Sequence, residues 1–285
     1  EYEQDLYDTY LIDKCAEKGQ TVADANPLFL SSIKKTLASS VIANTTDWEG
    51  KISIPYDSKY EALKEIIKDV VKNKGKKMII FATTIRTLYY LQHRLMLDKE
   101  SALLIYGGVK ERTNTVKQFQ NSKSINILLS SEVGSEGLDM QFCDTIVNYD
   151  LPWNPMVVEQ RIGRVDRFGQ KSEFVYIYNI LVKGTLQEKI YGRLLDRIGI
   201  FRECIGDIEV ILDRFLEKNN VRGVDFVNYL EKEVDDPSLT EEEVNRKLES
   251  ISKAMEQVKL DVEQLTIGLT DSLTNDMYFK EEISR

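Results

Sequence analysis

The sequence is poor in the residue types that build metal centres and nucleophilic triads. Its 285 residues include one histidine, His93, and three cysteines, Cys15, Cys143 and Cys204. A lone histidine cannot anchor a zinc site or a serine-type triad, so we interpret His93 as structural. The cysteines are odd in number and far apart, which indicates reduced thiols. The sequence therefore predicts no metal site and a cytoplasmic location.

Long apolar runs are also missing. No stretch approaches the roughly 18 residues that span a bilayer, and no secretory signal opens the chain. We therefore expect no membrane partner. The chain begins at Glu1 rather than at a methionine, so we interpret it as a fragment.

The two parts that hold a nucleoside triphosphate are absent as well. Such a site needs a glycine-rich loop with a lysine for the phosphates, and acidic residues for Mg2+. The segment 75–77, Gly-Lys-Lys, lacks the earlier glycine and the hydroxyl residue, and no Asp-Glu pair is followed by histidine. This chain alone is therefore expected not to hydrolyse ATP.

Positive charge is scarce overall but concentrated. The net charge is −9, yet residues 72–200 hold 19 Lys and Arg against 13 Asp and Glu. Within that range, residues 72–125 hold 11 basic against 3 acidic residues. Such a region suits a surface that follows a phosphate backbone. The alternative is a set of solvated helix faces.

Short apolar runs alternate with amphipathic stretches along the middle of the chain. Helical periodicity marks residues 85–97 and 112–119. Alternation of this kind predicts an α/β fold with a parallel sheet and helices on both faces, whose ligands lie beyond the carboxyl ends of the strands. The predicted strands are 78–81, 102–106, 125–129, 145–148 and 174–180.

One segment, residues 159–170, organises the functional argument. Arg161, Arg164 and Arg167 are spaced by three, which predicts that they share one helical face, kept open by Gly163. Guanidinium groups stay charged and bind phosphate oxygens in pairs, so this face suits an anion. The alternative is a solvated basic face paired to neighbouring carboxylates.

The order of strand, acidic glycine-containing loop, strand, loop and arginine segment resembles the C-terminal RecA-like lobe of superfamily 2 helicases. Gly137 and Asp139 match its fifth motif, and residues 160–167 match its sixth. The segments 150–155 and 168–170 resemble the Swi/Snf family of DNA translocases. The sequence of residues 130–141 is most similar to the bacterial branch of the RNA-polymerase-associated recycling ATPase. The resemblance covers about residues 28–200.

The resemblance implies roles for individual residues in an ATP hydrolase. Arg164 and Arg167 would reach the terminal phosphates across a cleft between two lobes, and Gln160 would help position them. Gly137 and Asp139 would face the nucleotide sugar. ATP and Mg2+ would be held mainly by an N-terminal RecA-like lobe that precedes this chain.

The resemblance also implies a track for double-stranded DNA. Its residues are Thr83, Gly107, Gly108 and Ser131. We add Lys110 and Arg112 because they follow the glycine pair at the carboxyl end of a predicted strand. The competing interpretation is that these two residues merely begin a helix and face water.

Three domains are expected. Residues 1–50 form a helical interlobe linker, 51–184 the RecA-like domain, and 185–285 a helical extension with a heptad helix at 241–266. We prefer packing of the heptad helix within the chain. The alternative is that the C-terminal helices bind a protein partner such as RNA polymerase. Two other functions remain: an RNA helicase of superfamily 2, and a non-enzymatic scaffold that recruits a partner through the C-terminal helices.

Overall fold

The computed structural model of the chain describes residues 2–152, 154–183, 185–190, 208–221, 225–235 and 239–283. The sequence features at Trp153, Cys204 and residues 191–207 lie outside these ranges. The chain divides into two compact units, Glu1–Glu188 and Lys189–Arg285. Within the described ranges, no helix is both long and apolar enough to cross a membrane.

The first unit is built on a parallel five-stranded sheet with the order β2-β3-β1-β4-β5. All residues of β1, β3 and β4 are buried, as expected for strands covered on both faces. This is a RecA-like α/β fold, as the sequence predicts. The strands are β1 Met78–Phe81, β2 Ala102–Ile105, β3 Ile127–Ser130, β4 Thr145–Asn148 and β5 Tyr176–Asn179.

Helices flank the sheet, precede it along the chain and form the second unit. The predicted bounds of Ile85–Leu97 are confirmed, and Ser40 caps a short helix at Val41–Thr45. The helices are α1 Tyr2–Ala16, α2 Pro27–Ser39, α3 Val41–Thr45, α4 Ser58–Ile67 with a π-helical continuation at Lys68–Asn73, α5 Ile85–Leu97, α6 Arg112–Asn121, α7 Glu132–Ser135, α8 Pro155–Ile162, α9 Leu186–Ile190, α10 Ile208–Lys218, α11 Phe226–Val234 and α12 Glu241–Ile283.

Two apolar cores cover the two faces of the sheet. Because side chains alternate along a strand, Ile80 contributes to one core and Ile79 to the other. Helices α4 and α5 pack on the first face, and α6 packs on the second through Phe119. A separate cluster joins α1 to α2 through Leu11 and Leu37. The domain boundaries at residues 50 and 184 stay predictions.

The second unit is a helical bundle in which α10 and α11 pack on α12. A capping box opens α12: the Thr240 amide donates to the Glu243 carboxylate at 2.8 Å, and the Glu243 amide donates to the Thr240 hydroxyl at 3.3 Å. The helix continues to Ile283, beyond the predicted end at 266. The buried heptad positions support packing within the chain; they are Leu248, Ile251, Met255, Val258 and Val262.

Candidate functional site

The carboxyl ends of four strands lie level at one edge of the sheet. Phe81 is in register with both Ser130 and Asn148, and Ile105 is in register with Ser130. The residues that follow these strand ends therefore gather along one line. We call this line the strand-end edge; its members are Thr83, Tyr106, Ser131 and Asp150.

Arg161 connects the ends of β3 and β4 directly, and through Asp150 it connects them to the end of β1. Its side chain is buried, with 2% of its surface exposed. The Nε atom donates to the Glu132 carboxylate at 2.5 Å, and Nη1 donates to the Asn148 side-chain oxygen and the Asp150 carbonyl, each at 2.8 Å. The Asp150 carboxylate accepts bonds of 2.7–3.0 Å from the amide and hydroxyl of Thr83. We call this network the Arg161 clamp.

The three arginines do not share a helical face, so that prediction is wrong. Helix α8 ends at Ile162, and the chain leaves it through a capping residue, Gly163. Arg161 is the last-turn residue that faces the interior, whereas Arg164 and Arg167 lie in the turns that follow. Gly163 is thus the cap of the helix rather than part of a continuous helical face, and an added Cβ there would meet the Glu159 and Gln160 carbonyl oxygens at ordinary distances of 3.4 and 3.7 Å.

Arg164 and Arg167 remain available as a pair of cations. Within the described part of the chain, no hydrogen bond or ion pair engages the half-buried guanidinium of Arg164. Burial lowers the pKa of Arg164, the charge of Arg167 lowers it further, and Glu136 partly opposes both effects. Arg167 is exposed, and its Nε donates to the Gly163 carbonyl at 2.8 Å. Two close guanidinium groups repel one another, and an anion bound between them would offset that repulsion.

The acidic loop before β4 lies against this pair. The amide of Met140 donates to the Arg164 carbonyl at 3.1 Å, which joins the loop to the turn after α8. Gly137 has φ +74°, a left-handed conformation that favours glycine. Asp139 is exposed, and its carboxylate accepts the Gln141 amide at 3.1 Å. The structure thus brings Gly137 and Asp139 close to the arginine turn; Gln160, on α8, is exposed.

The residues expected to line a nucleic-acid track lie at the strand-end edge, with differing availability. Gly107, Gly108 and Lys110 are exposed after β2. Thr83 is exposed after β1, but its amide and hydroxyl both donate to Asp150. The glycine pair and Lys110 are therefore the most accessible members of the set.

Ser131 and Arg112 make contacts within the chain, and their place in the track stays a prediction. The Ser131 hydroxyl caps α7 by accepting the Gly134 amide at 3.0 Å, and only 7% of the residue is exposed. The Arg112 guanidinium donates to the carbonyls of Val133 and Gly134. Both residues therefore fix α7 against neighbouring segments.

Three residues that the sequence analysis did not single out shape the site. Glu132 and Asp150 are the acidic partners of Arg161. Gly134 allows α7 to approach the end of β2, since an added Cβ would lie 2.5 Å from the Ile105 carbonyl oxygen. No group of three or more metal-ligating side chains occurs among the described residues.

Comparison with known proteins gives a consistent match for this region. Residues 58–169 match the helicase conserved C-terminal domain. The chain is 35% identical over 192 residues to an uncharacterized ATP-dependent helicase, YqhH, of Bacillus subtilis, which covers 67% of the chain and 33% of that protein. It is 32% identical over 166 residues to the RNA polymerase-associated protein RapA of Vibrio parahaemolyticus, with 56% of the chain and 16% of that protein covered.

A solved structure shares the fold. The SWI2/SNF2 ATPase core of Sulfolobus solfataricus in complex with double-stranded DNA matches with a TM-score of 0.52 at 22% identity, over 79% of this chain and 47% of that one. The chain spans about one third of the length of YqhH and less of RapA.

Proposed function

We propose that the chain is the C-terminal lobe of a Swi/Snf-type superfamily 2 helicase, and that the whole protein is an ATP-driven translocase on double-stranded DNA. In this proposal the lobe completes an ATP site whose other half lies on an N-terminal RecA-like lobe. The support comes from the ATP-dependent helicase YqhH, which is 35% identical, and from the DNA complex of a protein with this fold.

The observation that carries the proposal is the pair of cations after α8. The guanidinium of Arg164 makes no ion pair within the described residues, and burial, together with the charge of Arg167, lowers its pKa. This donor set fits the terminal phosphates of a nucleotide, because planar guanidinium groups bind phosphate oxygens in pairs. Arg164 and Arg167 would stabilise the negative charge of the transferred phosphoryl group.

The other candidate residues would orient the nucleotide. Gly137, in its left-handed conformation, and the exposed carboxylate of Asp139 would face the sugar, and Gln160 would help position the phosphates. Mg2+ would neutralise phosphate charge from the other lobe. The isolated chain is accordingly proposed to be inactive.

DNA would lie along the strand-end edge. The exposed backbone at Gly107 and Gly108 and the ammonium group of Lys110 suit phosphates rather than bases, so binding would show little sequence preference. Association with RNA polymerase and a cytoplasmic location also belong to the proposal; their support is the name of the relative RapA and the buried thiols of Cys15 and Cys143.

The test is DNA-stimulated ATP hydrolysis by the full-length protein. We expect Arg167→Ala to lower turnover by about 10³-fold or more while nucleotide binding changes little, because supplied arginines act mainly on the transition state. Arg164→Lys should also fail, since a point charge cannot replace the planar fork. Arg246→Ala, at an exposed arginine of α12, is the matched control. Ordinary turnover in Arg167→Ala would refute the assignment.

A further inference from the structure

Two tyrosines form a hydrogen-bonded pair at the strand-end edge. Tyr106 directly follows β2, and Tyr89 lies in the second turn of α5, which begins just after Thr83 and Thr84. Their phenol oxygens are 2.7 Å apart, and their rings meet edge to face with centroids 5.8 Å apart. The pair therefore bridges the segments that follow β1 and β2.

The pair has one hydroxyl hydrogen to spare. Two phenols carry two O–H groups, and the bond between them uses only one. Within the described ranges, neither hydroxyl has another hydrogen-bond partner, and Tyr89 is 42% exposed. The bond to Tyr106 also raises the pKa of Tyr89, so this phenol stays protonated at neutral pH. One neutral donor consequently faces solvent.

The same pair shapes the glycine turn beside it. A Cβ on Gly108 would lie 2.7 Å from the ring of Tyr106, so the ring rests directly against this residue. The Val109 amide closes the turn by donating to the Tyr106 carbonyl at 3.0 Å. Lys110, exposed, follows at once. The spare donor, the accessible glycine backbone and a lysine thus occupy one short stretch of surface.

The neighbouring groove has a volume of about 630 Å3, and Tyr89 itself lines it together with Trp48, Glu49 and Arg86 among others. The Arg86 guanidinium is already used, because it donates to the Ala43 carbonyl at 2.6 Å, to the Glu49 carboxylate at 3.1 Å and to the Thr46 carbonyl at 3.3 Å. Beside α5, Arg86 is therefore engaged in contacts within the chain, whereas the tyrosine pair keeps one donor free.

We propose that Tyr89 and Tyr106 form a neutral phosphate-binding pair that donates one hydrogen bond to the backbone of the bound DNA duplex. The inference rests on the proposed DNA-binding function and adds two residues to it. A phenol differs from a lysine in one measurable respect. It contributes affinity without neutralising a phosphate, so it releases no counterion.

The experiment is fluorescence anisotropy of a labelled DNA duplex with the full-length protein at several salt concentrations. Loss of a hydrogen bond to a charged group lowers affinity by about ten-fold, so we expect this loss in Tyr89→Phe/Tyr106→Phe with an unchanged salt slope. Each single variant should lose less, because the remaining hydroxyl can still donate. By contrast, Lys110→Ala should reduce the slope by about 0.9.

Tyr56→Phe, at a tyrosine that is 67% exposed and lies outside the edge, is the matched control and should bind as the wild type does. Wild-type affinity in the double variant would overturn the inference and leave the proposed function standing. A reduced salt slope in the double variant would also overturn it, since that would mean a displaced loop rather than a lost donor. Absence of duplex binding by the wild type would instead refute the proposed function.

Discussion

Replacing Arg161 by methionine should lower the free energy of unfolding of the first unit. This effect should not require any ligand. Methionine keeps an unbranched but shorter apolar chain and removes the charge and its donors. Asp150 and Glu132 would then remain beside an apolar side chain, and 3% and 30% of their respective side chains are exposed. The loss therefore leaves two carboxylates without their cation.

The magnitude follows from this burial. Breaking a buried ion pair by removing one partner costs roughly 3–5 kcal/mol, because the other charge is left uncompensated. Two features place Arg161→Met near the lower limit. Glu132 is partly exposed and can regain water, and Asp150 keeps the bonds from the amide and hydroxyl of Thr83. We therefore expect a loss of about 3 kcal/mol in the free energy of unfolding.

The loss should depend on pH. Burial already raises the pKa of Glu132, and Arg161 opposes the rise, so removing Arg161 raises this pKa further. A carboxyl group whose pKa is higher in the folded state favours folding below its unfolded pKa, and this contribution is lost as pH rises through the folded pKa. The deficit of Arg161→Met should thus be smallest below the ordinary glutamate value of 4.5 and reach its full size at neutral pH.

Urea unfolding followed by tryptophan fluorescence is the assay. Trp48 is buried in the first unit, so its emission reports on that unit. Arg246→Met, at an exposed arginine of α12, controls for the substitution itself. The reasoning is refuted if Arg161→Met is no less stable than this control at neutral pH.

Two further pairs of substitutions test other contacts. The first pair compares a closely packed glycine with an unhindered one, and the second compares a residue proposed to contact phosphate with one that makes structural contacts. Gly134→Ala should lose about 1–3 kcal/mol of stability in urea unfolding, because the added methyl group would lie 2.5 Å from the Ile105 carbonyl oxygen. Gly163→Ala should be neutral, and equal effects of the two substitutions would contradict the packing argument. Lys110→Ala should flatten the salt dependence of duplex binding. Arg112→Ala should instead lower stability, because the Arg112 guanidinium donates to the Val133 and Gly134 carbonyls. If only Arg112→Ala flattened the salt slope, Arg112 rather than Lys110 would be the phosphate contact.

The sheet could be predicted because its signals are local. A run such as Met78–Phe81 is apolar throughout, and a strand buried on both faces needs that composition. Helix α5 has both a capping residue, Thr84, and a regular apolar periodicity, so its bounds follow from the chain alone. The weaker prediction was β5, observed at Tyr176–Asn179 within the predicted 174–180, where partly exposed residues blur the pattern.

The site could be predicted only in part because its contacts are not local. A spacing of three places arginines on one face only while the helix continues, and α8 ends at Ile162. The partners of Arg161 lie 11 and 29 residues away, at Asp150 and Glu132, with no periodicity to reveal them. The need for glycine at position 134 likewise arises from the carbonyl of Ile105, on another strand.

The Arg161 clamp ties the two proposed sites of this lobe to one buried cluster. Arg161 is three residues before Arg164, and through Asp150 it holds the amide and hydroxyl of Thr83 at the strand-end edge. A movement of one site relative to the other would have to separate these charges, at a cost of roughly 3–5 kcal/mol. We therefore expect the arginine turn and the strand-end edge to move together as one rigid body, so that closure of the proposed ATP site would displace the edge as a whole.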